Sequence, residues 1–282
     1  MGRALRNRAF FAACGVGLLL VVAPAVALVA SVFAKAAPAI GTALFTSPTN
    51  GQGGGLENAI LGTLLLLVGV LVVAGTIGVG AGVYLAEYAP PRVAGPLRTL
   101  SEVLAGVPSI VIGYVGYVTF LQELHWGYSL LGGVLALSVL VLPYIVKTTE
   151  LAVRQVPTTL REASAALGLT RTTTVGRIVL PTAWPGVISG LIVAMAISQG
   201  ETAPLLFTAG YLDQRNPSLA LLHHDVPYLT YVAFTDTTLP AARAQQLASA
   251  AGAMTLVLLL ALIFAGRVLA RRSRRATARM AL

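Results

Sequence analysis

Few side chains in this 282-residue sequence could do chemistry, and they are thinly spread. Glu201 lies in the otherwise apolar run Val187–Gly210, where an ionisable group is a functional-site hypothesis by default. Its charge would repel an anion unless a partner's cation neutralised it or the anion carried a proton of its own to donate in a hydrogen bond to the carboxylate. A buried structural contact to another helix is the alternative use of the same residue. Thr202, Thr208 and Ser198 nearby can bond back to the helix backbone. His223 and His224 are adjacent, so their side chains diverge and make a poor metal pair, better suited to a solvated rim. Cys14 is the single cysteine, which excludes an internal disulfide and a multi-thiolate metal site. The intramembrane polar residues supply no nucleophile–base pair and no metal-ligand cluster, which argues against a membrane enzyme. The two lysines, Lys35 and Lys147, lack phosphate-loop spacing, so any ATP chemistry belongs to a partner.

The elements that position these residues are set by composition. With 56% hydrophobic and 10% charged residues, the chain is a membrane protein. Six apolar runs are long enough to cross roughly 30 Å of hydrocarbon: Phe10–Ala34, Ala59–Ala86, Val103–Phe120, Leu130–Val146, Val187–Gly210 and Ser249–Gly266. The third and fourth are near the lower length limit, and are interrupted by Pro108 and Gly113 or bounded by Pro143. An even count places both termini on one side. With that side cytoplasmic, sixteen of the 19 Lys and Arg lie inside, and only Lys35, Arg215 and Arg243 lie outside. A seven-span arrangement would strand the Arg-rich tail outside. The first run exceeds the roughly 7–15 apolar residues of a signal peptide, so it is expected to remain as an anchor.

Within the runs, Gly78-x-x-x-Gly82 and Gly186-x-x-x-Gly190 predict close helix packing through small residues. Pro108, Pro143 and Pro204 are expected to kink or end helices where a water-lined path or neighbouring protein satisfies the freed backbone. Gly51–Gly55 reads as a flexible outer linker. Trp126, Tyr228 and Tyr231 fit an interfacial aromatic belt. The tail Arg271-Arg272-Ser273-Arg274-Arg275 follows an inward-ending span, which makes it a topology determinant touching anionic membrane lipid, with no nucleic-acid partner implied.

The loop from Lys147 to Pro185 is the most informative segment. Thr159 as N-cap with Glu162 at the third helical position has capping-box spacing. Ala163, Ser164, Ala165, Ala166 and Leu167 propagate a short helix that Gly168 can end in a left-handed conformation. A second amphipathic stretch runs from Thr170 to Leu180 and is broken by Pro181. The product is a helical hairpin projecting from the membrane with a partner-facing surface.

Glu162, Ala163, Ser164, Gly168, Ile178, Leu180 and Pro181 fall at the spacing of a signature that resembles the one in membrane subunits of ATP-binding-cassette importers. Ser164 replaces the usual second alanine with another small residue. Three further stretches resemble phosphate-importer permeases of the PstA type, with a CysTW-like subfamily character: Tyr84-Leu85-Ala86-Glu87-Tyr88-Ala89, Leu104–Val111 including Pro108 and Ser109, and Gly200–Ala209 including Glu201 and Thr202.

The resemblance implies an all-α, six-helix type I importer permease fold. It further implies an ATPase-coupling loop at 147–185 and a substrate path near Pro108, Ser109, Glu201 and Thr202. Residues 1–57 would form the first helix and linker, 58–270 the transport core, and 271–282 a basic tail. Implied partners are a homologous PstC-type permease, a PstB-type ATPase dimer holding ATP and Mg2+, and a PstS-type phosphate-binding protein. This chain itself would be non-catalytic and hold no cofactor or metal. Hydrogen phosphate carries a proton from which Glu201 could accept a hydrogen bond, and sulfate at neutral pH does not. The family often has an arginine where this chain has Ile197, so cationic stabilisation of the anion must come from elsewhere. Another oxyanion importer (phosphonate, sulfate or molybdate) and a membrane phosphate sensor are the alternatives.

Overall fold

The computed structural model describes residues 2–49, 54–210, 224–235 and 241–280, and every element among them is helical. Gly51–Gly53 of the linker, Asp213, Arg215, His223 and Asp236 lie outside the described residues. The chain begins with α1 (Gly2–Ala36), short α2 (Thr42–Thr46) and α3 (Glu57–Val83), which runs on through a π-helical turn at Tyr84–Tyr88. Next come α4 (Pro91–Ala105), then α5 (Ser109–Gly116) with its π-helical extension Tyr117–Glu123, and α6 (Leu130–Arg154). The inter-span loop forms α7 (Thr158–Ala166) and α8 (Arg171–Thr174), which passes through a π turn at Val175–Val179 into α9 (Leu180–Gly200). Short α10 (Ala203–Thr208) and α11 (Leu229–Thr235) precede the long α12 (Ala241–Met280).

Among the described residues, five continuous helices are long and apolar enough to cross a membrane, and a sixth is made up if the pair α4 and α5, bent by 97°, counts as one span. The expected continuous third span, Val103–Phe120, is therefore corrected. Pro108 has no N–H to give and disfavours helical backbone at Val107, so the chain turns at Gly106–Pro108 and restarts at Ser109. The expected fifth span, Val187–Gly210, is corrected as well. It begins upstream of Leu180, stops at Gly200, and leaves Glu201 in extended backbone (φ −82°, ψ 134°) before α10. Pro204 sits in the first turn of α10, where its missing N–H costs nothing. Pro143 lies inside α6 without dividing it.

The bundle is organised around α6, whose apolar stretch is 67% buried against 39% for the spans containing α3 and α9. Lipid is as apolar as leucine, so close packing must hold these helices together, and the two glycine pairs provide it. A Cβ on Gly78 would lie 2.7 Å from Ile145 Cγ2, and one on Gly82 2.6 Å from Thr149 Cβ. On a neighbouring face of α6, a Cβ on Gly186 would lie 2.7 Å from Ala152 Cβ, and one on Gly190 2.6 Å from Thr148 Cβ. The apolar stretch of α1 is unburied, and the helix meets α12 near Val32 and Ala36. Tyr228 is 1% exposed within the core, and Tyr231 packs against it. Their assignment to an interfacial belt is thus corrected. Trp126 stacks on Phe120 at 5.5 Å in the loop after α5.

Candidate functional site

The hairpin forms where the sequence places it, with two corrections of detail. The first helix begins at Thr158 behind Pro157, so Thr159 is a helical residue and not the N-cap. Pro181 does not break the second arm, because it falls in the first turn of α9. That arm is continuous with the fifth span over Arg171–Gly200. The first arm ends as expected. Gly168 adopts φ +71°, with its N–H bonded to Ala165 O at 3.0 Å and the Leu169 N–H bonded to Ser164 O at 3.1 Å. This paired closure satisfies helix-end carbonyls and uses the glycine's left-handed freedom.

Glu162 and Ala163 face outward, while Ser164 is buried and donates to Leu160 O at 2.6 Å. Ile178, Leu180 and Pro181 are half-buried at the base, within the π turn and the start of α9. Leu167 at the tip is 79% exposed, with Leu160 and Leu169 beside it. All three are large apolar side chains exposed on the hairpin.

The hairpin is bound to the rest of the chain through the end of the second span. Arg161 donates to Glu87 Oε1 from Nη2 at 2.5 Å and from Nε at 3.1 Å. It also donates to the carbonyls of Val156 at 2.7 Å and Val153 at 3.0 Å. Arg171 donates to the Glu87 backbone carbonyl and lies 5.2 Å above the Tyr88 ring. Within α6, Arg154 pairs with Glu150 at 3.0 Å, and two further ion pairs join α4 to α6, Arg98 to Glu150 at 2.8 Å and Lys147 to Glu102 at 3.0 Å. They border a cavity of about 580 Å3 that Tyr144 and Thr148 also line.

The other sequence-identified residues lie at two breaks that the fold brings together. A Cβ on Gly113 would sit 2.8 Å from Pro204 Cα, and one on Gly116 2.7 Å from Thr208 Cγ2. This register runs α5 and α10 in the same direction, which puts Ser109 and Thr202 at one end of the pair. Pro108 is exposed, whereas Ser109, Glu201 and Thr202 are half-buried. Glu201 is therefore at a break between helices, and its carbonyl accepts from Thr230 Oγ1 at 3.4 Å. Thr208 bonds back to Pro204 O at 2.7 Å as anticipated, but Ser198 Oγ has no partner among the described residues. His224 is an exposed residue whose carbonyl accepts from Leu130 N–H. No cluster of three metal-ligating side chains occurs among the described residues.

Sequence reasoning treated Arg98, Lys147, Arg154, Arg161 and Arg171 only as topology determinants and gave Glu87 no role. The available signal was a carboxylate at the end of an apolar run, which needs a cation.

The chain belongs to the binding-protein-dependent transport system inner membrane components, whose family model matches residues 78–275. It is 44% identical over 273 residues to phosphate transport system permease protein PstA 2 of Mycobacterium tuberculosis, covering 97% of this chain and 90% of that one. It is 38% identical over 183 residues to phosphate transport system permease protein PstA of Yersinia pestis, covering 64% of this chain and 62% of that one. An inward-facing structure of the MetNI methionine ABC transporter superposes with a TM-score of 0.58 at 18% identity, covering 77% of this chain and 97% of that one. The fold is that of a type I ABC importer permease, and the chain is a multi-pass membrane protein.

Proposed function

We propose that this chain is a permease subunit of an ATP-driven importer for inorganic phosphate in the cytoplasmic membrane, with both termini inside. The observation that carries the reading is the 44% identity to a phosphate permease sustained over 97% of the chain. The outward-facing hairpin supplies the means of coupling. A PstB-type ATPase dimer, which holds ATP and Mg2+, grips Glu162, Ala163 and the Leu167 tip. Gly168, Ile178, Leu180 and Pro181 shape the hairpin and root it in α9. The permease needs no catalytic group, cofactor or metal of its own.

The substrate path runs along the face where α5 and α10 meet, shared with a homologous PstC-type permease. Leu100 and Val103 on α4 and Ile110, Tyr114 and Val115 on α5 are exposed, and a protein partner or lipid covers them. Pro108 and Glu201 hold two chain breaks at this face. Exposed backbone at such breaks can contact an anion that no helix interior would accept. Glu201 accepts a hydrogen bond from the P–OH of hydrogen phosphate, with Ser109 and Thr202 as hydroxyl donors. A PstS-type protein delivers phosphate from outside. Residues 1–57 form an anchor and linker, 58–270 the transport core, and 271–282 a basic tail on anionic lipid.

The test is uptake of labelled phosphate by cells lacking this chain, with and without its return, against unlabelled sulfate, molybdate and phosphonate. Restored uptake that only phosphate competes is expected. Restoration of sulfate, molybdate or phosphonate uptake in place of phosphate would overturn the substrate and leave an oxyanion importer.

A further inference from the structure

We infer that Glu87 is a positioning residue of transport, through which movement of the α7–α8 hairpin reaches the junction of α5 and α10. The inference rests on the hairpin's docking to the ATPase proposed above. Glu87 lies in the π turn that ends the second span, and one guanidinium, that of Arg161, ties its side chain to the carbonyls of Val153 and Val156 at the end of α6. Arg171, at the head of the second arm, holds the Glu87 carbonyl, a helix-end acceptor that would otherwise need water. Both arms of the hairpin therefore grip the same residue.

Both members of this joint are more buried than those of any other ion pair among the described residues: Glu150 matches Glu87 at 9% exposed, but its partners Arg98 and Arg154 are 38% and 50% exposed. The side chains of Glu87 and Arg161 are 9% and 26% exposed, whereas those of Glu102 and Lys147 are 62% and 60% exposed. Exposed pairs exchange readily with water and can slide, but separating a desolvated pair leaves a buried charge, so its members move as one body. Only Tyr88, Ala89 and Pro90 separate Glu87 from α4, and Arg171 stacks on the first of them. Pro90 and Pro91 have fixed φ, so this link transmits displacement rather than absorbing it. Helix α4 then turns through 97° into α5, whose Gly113 rests on Pro204. A shift of the hairpin at Glu87 thus becomes a shift of Ser109 relative to Glu201 and Thr202.

The experiment uses the complete transporter in proteoliposomes, with its companion permease, ATPase and phosphate-binding protein. ATP hydrolysed per phosphate taken up is measured for wild type, Glu87→Gln, Arg161→Gln and the double variant. Glu87→Gln keeps the shape and an acceptor for Arg161, so assembly is retained, and the ratio rises at least about fivefold, the low end of measured site-to-site coupling. The double variant rises no further than the larger single effect, because both act through one joint. Arg171→Gln, which spares the ion pair, raises the ratio in the same direction, and Lys147→Gln on the exposed pair does not. A Glu87→Gln transporter with the wild-type ratio overturns the inference, whether or not less of it assembles. The Glu162→Lys, Gly168→Asp double variant, which reverses a charge on the exposed face of the hairpin, separates the two readings. If it leaves uptake intact, hairpin docking itself fails; if it abolishes uptake while Glu87→Gln is wild-type in ratio, only the role of Glu87 fails.

Discussion

Replacing Gly113 with alanine tests whether the two chain breaks are held in the register described. The added Cβ would stand 2.8 Å from Pro204 Cα, 3.2 Å from Ala203 O and 3.2 Å from Phe207 Cδ2. Comfortable carbon–carbon separation is about 3.5–4.0 Å, so the α10 start must retreat by about 1 Å. Two of these three neighbours are backbone, which cannot rotate away. Overpacking of this kind costs about 1–3 kcal/mol. Gly80→Ala is the matched control, since its Cβ meets nothing within 4 Å and alanine favours a helix by up to about 1 kcal/mol. The assay is the thermal midpoint of the purified transporter in lipid nanodiscs, together with phosphate uptake in cells. Gly113→Ala is expected to lower both and Gly80→Ala neither. Equal behaviour of the two variants would refute the packing of α5 on α10, and with it the convergence of Ser109 and Thr202.

Gly168 stands in open space at φ +71°, so an uncharged side chain there meets backbone strain and no clash within the chain. Asparagine, which tolerates this conformation, should preserve uptake, while valine should lose about 1–2 kcal/mol of hairpin stability and reduce uptake several-fold. Glu201→Gln should weaken phosphate uptake and admit competition by sulfate, and retention of both uptake and selectivity would remove the carboxylate from the path. Neutralising Arg271, Arg272, Arg274 and Arg275 together should yield a fraction of chains with misplaced C-termini in a protease-accessibility assay, and uniform topology would show that the remaining arginines suffice.

What the sequence reveals depends on how local the determinant is. The helical class follows from long apolar runs, the hairpin from Gly168 and its alanines, and the approach to α6 from glycine pairs spaced by four. Each is written within a few residues. The breaks at Pro108 and Glu201 were harder, because apolar residues flank both and a hydropathy window averages across the turn. Gly106 and Pro108, like Gly200 and Pro204, carried the signal in backbone preference rather than polarity. Burial of Tyr228 depends on how α11 returns to the bundle, which no local pattern encodes. Glu87 and Arg161 lie 74 residues apart, so their pairing exists only in the folded chain.

These pieces form one line from the membrane surface to the transport face. Lipid exposure fixes the helices, small residues let them close on α6, and the hairpin hangs from the bundle by a buried ion pair. The helix pair bent at Pro108 carries that connection to the α10 break. On the proposed function, Ile197 in place of the arginine common in the family shifts the burden of anion recognition to the broken helices and the companion permease.

The most direct test of the central claim is labelled-phosphate uptake in cells lacking this chain, complemented by wild type or by the Glu162→Lys, Gly168→Asp double variant, with the partners co-expressed. The account predicts phosphate-selective, ATP-dependent uptake with wild type, and none with the double variant although it inserts in the membrane at the wild-type level. Full uptake through the double variant would contradict the hairpin as the point at which ATP hydrolysis drives transport.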